Sequence, residues 1–389
     1  MPERLCIYRG HRKSEQEFTL EHILPRAIGG SLATKIFQSE DVCGDCNHTC
    51  GLFVDGAFLK GFFRTNEDAI AARQYLDLSS DSSILPFAYM GVLESMPLAD
   101  DEVCEIWIGA CGERVYHFHQ KDDSRYDTFA GGDPIRRKKK KDAGRAYLKL
   151  TSEKESWTGL ALRSFANGFA RTRRYAVNFA VQGQGTVRFV EEPDTIAQRE
   201  LELIRTLGDG VHKHRIALDI HFEQRFLAKL AIGVGYNVLG PLYLESAYAQ
   251  LLRAALWKRD PKVREEIPLR GTGFPYYSPR NIDEQFVAWL GAYTILLKIT
   301  GSNFALTLYT PSQRGMHIVL SDDSRLWPDA MVRQYVDGQI YLSLPQIPKF
   351  VGPIWFPAYV SHRIGSAPVE DLVDLERRRI DVGALPPCR

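Results

Sequence analysis

No stretch of the chain is apolar for long enough to cross a bilayer: the longest run, Val287 to Leu297, stops at Lys298, short of the roughly 20 residues a spanning helix needs. The early charges of MPERLCIYRGHRKSEQEF are followed by no apolar segment, so no secretory leader is expected and a cytoplasmic protein is the default. Cysteine is scarce, with seven in 389 residues. That excludes a disulfide scaffold, and an odd number in a reducing compartment argues for thiols or metal ligands. An excess of either charge is lacking too, since 49 Lys and Arg face 48 Asp and Glu. A net charge of +1 neither points to nor excludes a nucleic-acid partner; the local distribution has to decide. Internal repeats, a P-loop and a dinucleotide fingerprint are absent. Hydrophobic residues at 44% and charged residues at 25% exclude a disordered, collagen-like or coiled-coil chain. The length points to two domains, with three inside the usual size range.

The few cysteines are clustered. Cys6, Cys43, Cys46 and Cys50 fall within the first 50 residues, whereas Cys104, Cys111 and Cys388 are scattered over the rest. Cys43 and Cys46 form a C-x2-C pair that can grip a tetrahedral zinc ion from a single turn, and Cys6 is the natural third ligand. The position where a second C-x2-C would end is Arg9, which cannot coordinate a metal. His11 is the first choice for the fourth ligand and Cys50 its competitor. A structural zinc is therefore expected here. A thioredoxin-like redox pair is disfavoured, because no βαβ pattern precedes it.

Between the cysteines, Phe18 to Leu24 reads as a short strand carrying Glu21 and His22 side by side, and Pro25 with Gly29 and Gly30 then forces a loop. Adjacent strand residues point to opposite faces, so a carboxylate can face a metal while the imidazole faces a water. Asn47 follows Cys46 in a helix expected to run through Leu52 to Leu59. Together, E-H-I-L-P-R-A-I-G-G from Glu21, V-C-G-D-C-N from Val42 and Gly51 resemble the HNH endonucleases, whose ββα-metal site is two strands and a helix. The resemblance covers roughly the first sixth of the chain.

That resemblance implies His22 as the general base that deprotonates the attacking water, Glu21 as an acidic metal ligand, and Asn47 at the last motif position, as Asn rather than His. A catalytic Mg²⁺ or Mn²⁺ ion would be held by Glu21, Asn47 and waters, and a neutral imidazole suits the proton transfer near pH 7. The zinc would be structural and separate. The middle Asn of many family members is missing from Phe37 to Asp41, where Gln38 or Asp41 stands in its place. Arg9, where a zinc cysteine is usual, is the second departure. The implied substrate is DNA, with RNA as an alternative, and such chains resemble components of bacterial anti-phage or restriction systems, with an activating protein partner compatible with that role. The rival class is a non-catalytic zinc module in a nucleic-acid- or protein-binding factor.

The expected fold class is α+β: an N-terminal ββα-metal domain with a zinc knuckle over residues 1–65, then a larger mixed region over 66–389, with a break near 210, for DNA binding or regulation. In that region Asn66 to Leu78, Phe222 to Leu239 and Glu245 to Arg259 read as helices. Glu105 to Ala110 and Arg114 to His119 read as a hairpin, and four β-rich segments between Tyr293 and Leu344 as an antiparallel sheet. His117 and His119 share one strand face; without a third ligand in view, an exposed polar face is expected rather than a metal site. From Arg136 to Arg174 the chain carries thirteen Lys or Arg against Asp142, Glu153 and Glu155. Arg136, Arg137, Lys138, Lys139, Lys140, Lys141, Arg171, Arg173 and Arg174 are the candidates for phosphate contacts, against a solvated loop as the plainer reading. Phe165 and Phe169 have the helical spacing of core residues.

Overall fold

The first two strands, β1 (Glu3–Leu5) and β2 (Arg12–Ser14), pair antiparallel around a tight turn closed by Cys6 N–H on the His11 carbonyl at 2.9 Å and Gly10 N–H on the Cys6 carbonyl at 2.7 Å. β3 (Phe18–His22) pairs antiparallel with β4 (Gln38–Cys43), with Phe18 opposite Cys43, His22 opposite Gln38 and an irregularity between Thr19 and Glu21. Helix α1 (Gly44–Cys50) follows, runs through a π-helical turn at Gly51–Asp55 and continues as α2 (Gly56–Leu59). The computed structural model describes residues 2–59, 62–76, 84–109, 112–120, 144–150, 155–170, 172–177, 192–208, 212–215, 220–258, 267–271 and 286–380. The Gly29–Gly30 pair after β3 has a steric origin. Gly29 sits at φ +91°, where a Cβ would lie 2.0 Å from Ser343 Oγ, and a Cβ on Gly30 would lie 1.6 Å from the Leu24 carbonyl oxygen.

One compact unit comprises residues 60–219 with 380–389. Helix α3 (Phe62–Tyr75) precedes a six-stranded sheet made of β5 (Ala88–Leu93), β6 (Glu102–Ile108), β7 (Arg114–Gln120), β8 (Arg145–Lys149), β9 (Arg173–Val177) and, beyond one further helix, β10 (His214–Arg215). The order is β10-β5-β6-β7-β8-β9, antiparallel except for the parallel β8/β9 pair that α4 (Glu155–Gly168) joins. Both faces are covered. Trp107, Val115, Ala146 and Leu148 pack with Leu162, Phe165 and Phe169, and Cys104, Ile106, Tyr116 and Tyr147 pack with Ala197 and Ile204 of α5 (Thr195–Leu207). The expected β6/β7 hairpin is present, but its polar face is not exposed: His117 is 0% and His119 6% exposed. Phe169 meets His117 edge-on, so helix-side packing buries a face that alternation alone leaves open.

The other compact unit joins residues 1–59 to 220–379. Helices α6 (Ile220–Leu239) and α7 (Ala247–Trp257) adjoin a five-stranded antiparallel sheet of β11 (Tyr293–Thr300), β12 (Asn303–Tyr309), β13 (Gly315–Ser321), β14 (Gln339–Leu344) and β15 (Lys349–Trp355), ordered β13-β12-β11-β14-β15. Three short helices, α8 (Asp329–Tyr335), α9 (Phe356–Arg363) and α10 (Glu370–Arg377), complete it. The mixed α+β class with antiparallel sheets is as expected. Helix α6 is the element that seats the N-terminal segment: Phe226 stacks on Phe58, and Asn237 Nδ2 donates to the carbonyls of Lys35, Ile36 and Gln38. Where the sequence suggests a division at 65, the compact unit holding the ββα segment ends at Leu59 and resumes at Ile220.

Candidate active site and metal centre

Cys6 in the β1–β2 turn, Cys43 at the end of β4 and Cys46 in α1 are all buried, with their sulfurs within 4.8 Å of one another. The turn is held from behind by α7, whose Arg253 Nε donates to the Ile7 carbonyl at 3.0 Å and whose Trp257 Nε1 donates to the Tyr8 carbonyl at 2.7 Å. A hydrogen bond from Cys46 and the backbone N–H groups of Cys43, Arg9 and Tyr8 pull the Cys6 thiol down to about 5, against its burial. The hydrogen bond to Cys6 and burial push Cys46 the other way. Such a set holds one thiolate readily and three only with a cation among them. Soft, buried sulfur donors at this spacing fit zinc, so the cluster can hold it. The structure brings neither proposed fourth ligand into that group. His11 is exposed, tied to Cys6 through its backbone. Cys50 lies near Lys229, Glu21 and Asp55, and burial pushes its thiol up. The Arg9 guanidinium packs over the Trp257 ring at 4.1 Å.

The alternation of β3 sends Glu21 inward and His22 outward. Glu21 is 3% exposed, 2.7 Å from Lys229 Nζ, and accepts from the Tyr8 hydroxyl at 3.2 Å. Lys229, fully buried on α6, also pairs with Asp55 at 2.6 Å and donates to the carbonyls of His22 at 3.2 Å and Ile23 at 3.3 Å. Burial holds Asp55 up at about 6 even with Lys229 against it. Lys229 was not legible as a site residue, although a lysine within the apolar run Phe226 to Val234 is a signal in itself.

His22 is half-buried, and its Nδ1 accepts from Arg26 Nε at 3.3 Å. Burial first, and the Arg26 charge second, lower its pKa below the ordinary 6.5, so the ring is neutral at pH 7 and Nδ1 carries the lone pair. Asn47 Nδ2 donates to Thr19 Oγ1 at 3.0 Å and to the Leu20 carbonyl at 3.1 Å, bracing β3 two residues before the histidine. Of the two substitutes for the middle Asn, Gln38 lies directly across from His22 and ties its own loop through the Ala33 carbonyl at 3.0 Å. Asp41 instead pairs with Arg4 at 3.1 Å and accepts from Tyr236 at 3.0 Å.

The comparison with known families decides what this ββα arrangement is. Residues 6–63 match the family model of the HNH endonucleases. The N-terminal segment is an HNH endonuclease region. No curated protein and no solved structure matches the chain. The chemistry of that family is phosphodiester hydrolysis with a divalent metal. In this structure Glu21 Oε1 is engaged by the Lys229 ammonium on the inner face of the strand, and Asn47 Nδ2 donates to the Thr19 hydroxyl and the Leu20 carbonyl. The HNH segment thus presents His22 outward and keeps its acidic neighbour in an interior ion pair.

Of the basic residues named as phosphate contacts, Arg136, Arg137, Lys138, Lys139, Lys140, Lys141 and Arg171 lie outside the described residues. Arg173 pairs with Asp194 at 2.6 Å and lies over the Tyr175 ring, and Arg174 donates to the Ala166 carbonyl at 2.8 Å. These two arginines serve the sheet edge and its helix. His48, next to Asn47, is exposed.

Proposed function

We propose that this chain is a metal-dependent endonuclease that hydrolyses phosphodiester bonds of DNA, with His22 as the general base. The observation that carries the reading is the imidazole itself: on an HNH scaffold it faces outward, is held neutral, and has its Nδ1 lone pair aimed at an exposed guanidinium. An exposed arginine 3.3 Å from the base is well placed to take a phosphate oxygen instead. On substrate binding Arg26 exchanges its long bond to Nδ1 for the phosphate. The freed lone pair then accepts a proton from water as the water oxygen attacks phosphorus and the bond from phosphorus to the leaving sugar oxygen breaks; the ring becomes an imidazolium and the leaving oxygen takes a proton from solvent. Asn47 and Gln38 act by position, holding β3 and the loop around His22. Lys229 neutralises Glu21 and fixes the carbonyl of His22 from inside. No step is assigned to the divalent ion, because Glu21 Oε1 is already paired with Lys229. The basic stretch from Arg136 supplies phosphate contacts under the same proposal, and a place in bacterial defence or restriction in the cytoplasm rests on family analogy.

One observation favours a second reading, a zinc-holding binding module without catalysis: the acidic residue beside the base is already paired with Lys229. Incubation with supercoiled plasmid, and separately with labelled single-stranded RNA, in Mg²⁺ or Mn²⁺ and with EDTA as control separates the two. Divalent-dependent nicking or linearisation of the plasmid supports the nuclease. A gel shift without cleavage in any of these conditions supports the binding module, and cleavage of RNA alone moves the substrate from DNA to RNA.

A further inference from the structure

The β6/β7 hairpin places Glu105 directly opposite His117, with His119 two residues further along the same face. All three side chains are buried, with Glu105 1% exposed. Glu105 Oε2 lies 3.3 Å from His117 Nδ1 and 3.4 Å from His119 Nε2, and the three ligand atoms fall within 4.8 Å of one another. These separations are long for charge-assisted hydrogen bonds, which close to about 2.7–2.9 Å. They equal the edge of a tetrahedron whose metal–ligand bonds are about 2.0–2.1 Å, an edge of roughly 3.3–3.4 Å.

The tautomer argues the same way. His119 Nδ1 lies 3.0 Å from the Gln120 carbonyl oxygen, which can only accept, so Nδ1 carries the proton. In a neutral ring Nε2 then turns a lone pair toward the Glu105 carboxylate. Two electron-rich atoms facing each other in an apolar layer are unfavourable unless a proton or a metal cation lies between them, and the length of the contact fits the metal. A backbone carbonyl on the far nitrogen is also the usual support of a metal-bound imidazole. The second carboxylate oxygen, Oε1, is buried without a hydrogen-bond partner among the described residues.

We propose that Glu105, His117 and His119 form a divalent-metal site of two nitrogens and one oxygen, for zinc in the first instance, that staples β6 to β7. Imidazole donors select zinc or another late first-row ion over Mg²⁺ or Ca²⁺, and three protein ligands leave one tetrahedral position for a water. Every ligand is buried in the layer between sheet and helix. The site lies in the compact unit that does not contain His22 and stands or falls independently of the nuclease reading.

The test is zinc content and zinc environment in the full-length chain grown with zinc. The Cys43→Ser/Cys46→Ser double variant, which removes the thiolate site, is expected to keep one zinc per chain, with imidazole scattering and no sulfur in its X-ray absorption spectrum. His119→Ala placed on that background is expected to lose this last equivalent. Should either variant fail to fold, the wild-type spectrum decides: imidazole scattering beside sulfur supports the site. A sulfur-only zinc shell in the wild type, a folded double Cys variant without metal, or full retention of zinc after His119→Ala overturns it.

Discussion

Replacing Lys229 with methionine is the most informative change to the interior of the HNH-bearing unit. The ammonium is fully buried and satisfies Glu21 at 2.7 Å, Asp55 at 2.6 Å and two carbonyls of the chain next to His22. Methionine fills nearly the same volume, so the perturbation is electrostatic rather than a cavity. Removing one partner of a buried pair typically costs about 3–5 kcal/mol, because the remaining charge is left without compensation. Two carboxylates are stranded here, which places the loss at the upper end, roughly 5 kcal/mol near pH 8. For a unit of this size that corresponds to a fall in Tm of about 10–20 °C.

The pH dependence has a definite sign. Asp55 is already raised to about 6 by burial in the presence of Lys229, and it rises further without it. A carboxylate whose folded pKa exceeds its unfolded value binds more protons in the folded state, so its contribution is present below the unfolded pKa and is lost as pH rises through the folded one. The penalty of Lys229→Met is therefore smaller at pH 5 than at pH 8. Thermal unfolding followed by tryptophan fluorescence, which reports on Trp257, Trp289, Trp327 and Trp355 of this unit beside Trp107 and Trp157 of the other, measures both quantities. A loss below about 1 kcal/mol at pH 8, or a penalty that grows on acidification, would refute the buried-triad argument.

Arg26→Ala removes the second cause of the lowered His22 pKa. The acid limb of a cleavage-rate profile should move to higher pH, while KM for plasmid rises if Arg26 holds phosphate; an unmoved limb would detach Arg26 from the base. Gly30→Ala puts a Cβ 1.6 Å from a backbone oxygen and is expected to cost about 3 kcal/mol or more in urea unfolding. Gly51→Ala is its control, with helical φ −58° and open space around the new methyl, and should stabilise by about 0.4–1 kcal/mol. Cys43→Ser should lower zinc content by one equivalent and lower Tm, and a chelator that has no effect on the wild-type melt would argue against a zinc role for the cysteine cluster.

The sequence made the N-terminal chemistry legible because its parts are local. A strand of five residues fixes opposite faces for Glu21 and His22, and a C-x2-C turn fixes the relation of Cys43 to Cys46. The central helices and the antiparallel strands after Tyr293 were legible from periodicity for the same reason. What escaped depends on partners far along the chain. Lys229 reaches Glu21 across 208 positions of sequence, so the carboxylate that local logic offers to a metal meets an ammonium instead. His117 and His119 read as a solvated face because alternation shows which residues share a side of a strand and not what covers it. Glu105 was in view as a strand residue, but its pairing opposite His117 follows from hairpin register, which spacing alone leaves open.

The central claim is that His22 is the base of a phosphodiester hydrolase. Single-turnover cleavage of plasmid DNA by wild type and His22→Ala, with the same ion and with matched melting curves, tests it most directly. A loss of about 10²-fold or more in the variant, at unchanged Tm and DNA affinity, is the predicted result. Equal cleavage by the two proteins would contradict the assignment.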